Sequence, residues 1–146
     1  MKNSKLISSE TGHIYITDTD RRRLEKLLST KEIHAGKDRK HLENLKQELD
    51  NAKVVESKKI PADIVTMNSQ VQLTNLDTLE TLTWTLVFPW NANIDQGKIS
   101  ILAPVGTALI GGKAQDVVEF EVPSGHTRLR IDEVLYQPEA AGDFHL

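Results

Sequence analysis

The hydrophobic positions of this chain change their period once, near Pro61. Before it they keep helical spacing. Leu24, Leu27 and Leu28 recur at intervals of three and four, and Leu42, Leu45 and Leu49 fall at i, i+3 and i+7. Both are the narrow apolar stripe of an amphipathic helix. Either Thr17 or Asp18 can start the first helix, because a side-chain oxygen there accepts from a free backbone N–H. Asp18 and Asp20 also suit the positive end of the helix dipole. Ser29 to Gly36 reads as a break, and a second helix is predicted from about Lys37 to Ala52. Two narrow stripes separated by a short break predict an antiparallel helical hairpin. At about 1.5 Å per residue the second helix is on the order of 24 Å long, which makes a short arm. Ile14, Tyr15 and Ile16, just before the hairpin, are β-prone.

After Pro61 the period is two. Val71 and Leu73 alternate with Gln70, Gln72 and Thr74, and Leu82, Trp84, Leu86 and Phe88 alternate with Thr81, Thr83 and Thr85. Ile99 with Ile101, Val118-Phe120-Val122 and Leu129-Ile131 repeat the pattern, and Val134 and Tyr136 follow. Turn residues at Asn75, Asn91 to Asn93, Gly97 and Ser124-Gly125 divide the run into about five strands. One interruption is helical: Pro104 suits a first helical turn, Val105, Ala108 and Leu109 make an apolar face, and Gly111-Gly112 ends it. The fold class is therefore α+β, a short helical hairpin over 1–59 and a curled antiparallel sheet with one short helix over 60–146.

Charge sharpens that division. Residues 1–59 carry 14 Lys+Arg against 10 Asp+Glu, a net +4, whereas residues 60–146 carry 4 against 11, a net −7. The +4 is mixed in sign and makes no coherent basic face, so direct DNA binding is not expected. No apolar run approaches the ~18 residues of a membrane span, and the first residues have no secretory apolar stretch. Cysteine is absent, so there are neither disulfides nor thiolate metal sites, and a cytoplasmic location is expected.

Three sequence blocks resemble a known family. Asp63-Ile64-Val65-Thr66-Met67-Asn68-Ser69 follows a block shared by the Rnk regulators and the Gre transcript-cleavage factors. Ile99 to Gly112, ISILAPVGTALIGG, is similar to the Gre pattern in which a proline precedes a small helix, and Gly125 lies in the turn expected before the last strands. Tyr136-Gln137-Pro138-Glu139-Ala140-Ala141-Gly142-Asp143 resembles Rnk and not Gre. The likeness spans roughly residues 14–146.

This resemblance implies an FKBP-like second domain that docks on RNA polymerase near the secondary channel, with the coiled-coil hairpin pointing toward the channel. Pro104 is the implied docking residue, and Lys31, Glu32, Lys37 and Asp38 form the implied polymerase-facing tip. In Gre factors a longer coiled coil delivers two tip acids that help hold a catalytic magnesium, which demands hard oxygen ligands in tight geometry. Here the tip acids Glu32 and Asp38 lie six positions apart among Lys31, Lys37, Arg39 and Lys40. Occupation of the channel entrance without stimulation of cleavage is the expectation, with competition against Gre factors. Gre factors usually carry Asp-Ser just before the docking proline, where this chain has Leu102 and Ala103. The family name also implies an effect on nucleoside diphosphate kinase, taken as a downstream consequence.

The expected protein is accordingly a monomeric regulator and not an enzyme, without cofactor or membrane partner, touching DNA only through the transcription complex. The alternative is an FKBP-like peptidyl-prolyl isomerase or chaperone, which needs an aromatic-lined pocket. Aromatics are only 5% of the chain and most sit on alternating strand positions, where a core claims them. The five histidines show no metal-ligand spacing, and the glycines from Gly106 to Gly112 lack the Gly-Lys-Ser/Thr ending of a phosphate loop. Arg21-Arg22-Arg23 reads as a solvated run, Trp84 as core, Trp90 as more open, and the residues after Tyr136 as a segment that packs back on the domain.

Overall fold

A computed structural model describes residues 14–29, 39–123, 125–144 and 146 of the chain. The first helix, α1 (Asp18–Leu28), is capped by Thr17, whose Oγ1 accepts from the Asp20 N–H at 3.0 Å. Leu24 and Leu27 of α1 and Leu42, Leu45 and Leu49 of α2 (Arg39–Asp50) are buried, as the stripes require. Arg21 Nη1 donates to the Leu49 carbonyl at 3.0 Å, so the start of α1 lies beside the end of α2. Outside the two helices, β1 (Tyr15–Thr17) pairs with β2 (Lys53–Val55) in parallel, Tyr15 opposite Lys53. A parallel pair needs a long crossover, and the intervening helices supply it.

The second part is a five-stranded sheet of β3 (Gln70–Asn75), β4 (Thr81–Val87), β5 (Lys98–Ser100), β6 (Val117–Val122) and β7 (Gly125–Tyr136). Its order is β5-β4-β3-β7-β6. Two expectations need correction. The sheet is mixed, because β5 runs parallel to β4 with Val87 opposite Ser100. The residues between them make two 3₁₀ turns, Pro89–Asn91 and Ile94–Gln96, and reverse at Gly97 with φ 72°. Such a connection is long enough to bring the chain back to the level of Thr85 before β5 starts, which a two-residue hairpin is not. Further, α3 (Pro104–Leu109) is not the sole helix beyond Pro61. The Gln137 to Gly142 run closes on the domain as α4 (Pro138–Ala141), between a Gln137 cap and a left-handed Gly142.

Register shifts between β3 and β7 at Gln70/Val71 and Gln72/Leu73 mark the bulges that curl the sheet. The inner face, with Val71, Leu73, Leu86, Val118, Leu129 and Ile131, joins α3 and the hairpin leucines in one apolar cluster. Trp84 is half-buried against it. At Gly111 (φ 77°) a Cβ would stand 2.6 Å from the Ile14 Cβ, so the glycine lets β1 approach the end of α3. Among the described residues no helix is long and apolar enough to cross a membrane.

Candidate functional site

Pro104 begins α3 and is half-buried. The turn before it is held by backbone and hydroxyl bonds. Ile101 N–H donates to Val87 at 2.8 Å, Leu102 N–H to Ser100 Oγ at 3.0 Å, and Ala103 N–H to the Ser100 carbonyl at 3.0 Å. Thr107 Oγ1 donates to the Ile101 carbonyl at 2.8 Å from within the helix. Leu102 is nearly buried, so the residue that replaces the Gre acid packs inward. Lys31, Glu32, Lys37 and Asp38 lie outside the described residues. Of the expected site residues, Pro104 alone therefore lies among the described ones.

A polar cluster that sequence reasoning missed joins the arm to the sheet domain. Asp20 is fully buried in the first turn of α1. Its Oδ2 accepts from the Met67 N–H at 3.0 Å and its Oδ1 from Arg23 Nη2 at 2.6 Å. Burial pushes the Asp20 carboxyl above the usual carboxylate range, against the opposing pull of the Met67 N–H and the Arg23 charge. Arg23 also donates to the Leu146 carbonyl at 2.9 Å and lies 5.3 Å from the Phe88 ring centre. The run expected to be solvated thus contains two specific ties, through Arg21 and Arg23. Thr17 followed three residues later by an acid is the spacing of a capping box, and it was the available signal for Asp20. The acid, however, turns to Met67 rather than back to the cap.

The C-terminal block closes this junction. Gln137 is 3% exposed; its Nε2 donates to the Pro61 and Ile64 carbonyls, both at 2.8 Å, and its Oε1 accepts from the Ala140 N–H at 3.1 Å. Glu139 Oε1 accepts from Thr66 Oγ1 at 2.8 Å, and Thr66 is bonded to Ser69 through its hydroxyl at 2.8 Å and its N–H at 2.9 Å. Burial first, and the Asp20 charge after it, raise the Glu139 carboxyl above its ordinary value. The Tyr136 hydroxyl donates to Asp143, which raises the phenol in turn. The DIVTMNS and YQPEAAGD blocks thus bind each other, and Asp20 and Arg23 bring the arm onto them.

Beside this junction lies a cleft of about 450 Å³ lined by Asn68, Gln70, Val87, Lys98, Tyr136 and Leu146 among others. Among the described residues, Tyr136 is its one aromatic lining residue. No group of three or more His, Asp or Glu able to hold a metal occurs among the described residues.

A helical arm tied to a curled sheet, with a proline-led helix beside the sheet's end, is a Gre-type architecture. Residues 60–136 match the family described as transcription elongation factor, GreA/GreB, C-term, and residues 13–55 match the one described as Rnk N-terminus. The chain belongs to the Rnk family, the Gre-related regulators of nucleoside diphosphate kinase. It is 40% identical to the regulator of nucleoside diphosphate kinase of Escherichia coli (strain K12), over 91% of this chain and 96% of that one. With transcription elongation factor GreA of Acetivibrio thermocellus it shares 40% over 64% of this chain and 57% of GreA. The solved structure of the GreA/GreB elongation factor from Nitrosomonas europaea superposes with a TM-score of 0.70 at 40% identity, covering 85% of this chain and 98% of that one. These relatives are named regulators and elongation factors, not enzymes.

Proposed function

We propose that this protein docks on RNA polymerase at the mouth of the secondary channel, competes there with Gre factors, and leaves transcript cleavage unstimulated. The observation that carries the reading is a Gre-type module joined to short described helices, of 11 and 12 residues. At 1.5 Å per residue these span roughly 17 to 18 Å each. In this reading residues 1–59 are a coiled-coil arm and 60–146 an FKBP-like docking domain, with Pro104 facing polymerase and Lys31, Glu32, Lys37 and Asp38 at the arm's tip. Two acids six positions apart among cations supply no preformed oxygen cage for magnesium. The protein acts as a cytoplasmic monomer, and an effect on nucleoside diphosphate kinase follows from altered transcription.

The isomerase alternative is not favoured, because a cleft with one aromatic lining residue and several amides is a poor seat for a prolyl ring. The test is co-purification with core polymerase, then competition against a Gre factor and a transcript-cleavage assay. Binding and competition without added cleavage are expected. Failure to bind, or strong stimulation of cleavage, overturns the proposal.

A further inference from the structure

Trp90 is 69% exposed, although its loop is firmly held. Pro89 opens a 3₁₀ turn, closed by the Asn91 N–H on Phe88 at 2.9 Å and the Ala92 N–H on Pro89 at 3.2 Å. The indole stacks flat on Phe88, with ring centres 5.1 Å apart and planes 3° from parallel. Phe88 is itself buried, and the Arg23 guanidinium that lies over it is fixed by Asp20 and the Leu146 carbonyl. A large aromatic surface is thus displayed in one orientation and left largely uncovered. Ile94, also mostly exposed, follows in the same loop. A tryptophan already ordered in the free protein loses little entropy on binding, which is the property of an interface anchor.

The position of the loop indicates the partner. Because β4 and β5 are parallel, they end at the same edge of the sheet, and Ile101 N–H bonds Val87 there at 2.8 Å. The Trp90 turn and the turn that leads to Pro104 therefore leave the sheet side by side. We propose that Trp90 is a second docking anchor for RNA polymerase, extending the Pro104 surface and entering an apolar pocket rimmed by basic groups. The basic rim follows from charge: residues 60–146 carry 11 acids against 4 bases, and Asp95 belongs to the same loop. This inference rests on the polymerase reading above.

The experiment measures affinity of the full chain for core polymerase in wild type, Trp90→Ala and Trp90→Phe, with hydroxyl-radical footprinting of the complex. The Ala variant should bind about tenfold more weakly with an unchanged circular dichroism spectrum, and Phe should recover part of the loss. Trp90 should be protected from oxidation in the complex. Affinity of the Ala variant within about twofold of a wild type that binds polymerase, or an unprotected Trp90, overturns the anchor and leaves the polymerase reading intact. No binding by the wild type removes both. A wild-type dimer dissolved by Trp90→Ala, with polymerase affinity unaltered, assigns the patch to a second copy and overturns the proposal.

Discussion

Gly106 offers a test in which two physical effects oppose each other. It lies inside α3, where replacing glycine by alanine favours the helix by about 0.8–1 kcal/mol on propensity alone. A Cβ on Gly106, however, would stand 2.1 Å from the Ser100 carbonyl oxygen and 3.0 Å from the Ile101 Cα. Real contacts of this kind do not fall below 3.0 Å, so backbone must move by roughly 0.9 Å. The obstacle is main chain at the end of β5, and it cannot swing aside as a side chain can. Its oxygen accepts from Ala103 N–H at 3.0 Å, and Ser100 is paired with Val87 in the sheet. Overpacking of this kind costs about 1–3 kcal/mol, and a weakened backbone bond about 1 more. After the propensity gain is subtracted, Gly106→Ala should destabilise by about 1–3 kcal/mol. For a chain of this size that is a fall in Tm of roughly 3–10 °C. Urea unfolding with an unchanged m-value is the direct assay. Gly142→Ala is the control: φ there is 83° with nothing within 4 Å, so only the left-handed backbone penalty of about 1 kcal/mol applies. A Gly106→Ala protein as stable as wild type would refute the steric argument. Because the shifted carbonyl belongs to the turn before Pro104, the proposed docking role of that proline predicts a fall in polymerase affinity as well.

Three further outcomes are expected. Gln137→Ala removes three hydrogen bonds and strands the buried Ile64 carbonyl, so a loss of about 2–4 kcal/mol is expected in urea unfolding, and one below about 0.5 kcal/mol would contradict the clamp. Asp20→Ala leaves the buried Met67 N–H unpaired and frees Arg23, and about 2–3 kcal/mol should be lost, checked by thermal unfolding together with loss of hydrogen-exchange protection at Met67. Glu139 has a folded-state pKa above its ordinary 4.5, chiefly through burial. Its contribution to stability is therefore fully present below about that pH and is lost as pH rises through the folded value. Glu139→Gln should thus gain on wild type as pH rises from 4.5 toward neutrality; a Tm series in which wild type gains instead would sink this assignment.

Much of the fold was legible because it is local. The leucine stripes marked α1 and α2, alternation marked the strands of the sheet, and Pro104 with Gly111 bracketed α3. The parallel β4–β5 pair was not legible, since alternation reports which face a strand buries and is silent on its direction. Asp20 was equally hidden. One acid in a first helical turn is ordinary, and its Met67 partner lies 47 residues away. The run Arg21-Arg22-Arg23 looked uniform, yet burial of Asp20 and Phe88 singled out Arg23.

Chain chemistry alone decided the type of α1, α2, α3 and the sheet strands, the change of period at Pro61 and the family blocks, because propensity, capping and periodicity act over a few residues. Tertiary structure decided strand order, the tie between DIVTMNS and YQPEAAGD, and the tryptophan at the end of the sheet beside the turn that leads to Pro104. Those depend on which buried donors and acceptors meet across the folded chain, and no local pattern encodes that meeting.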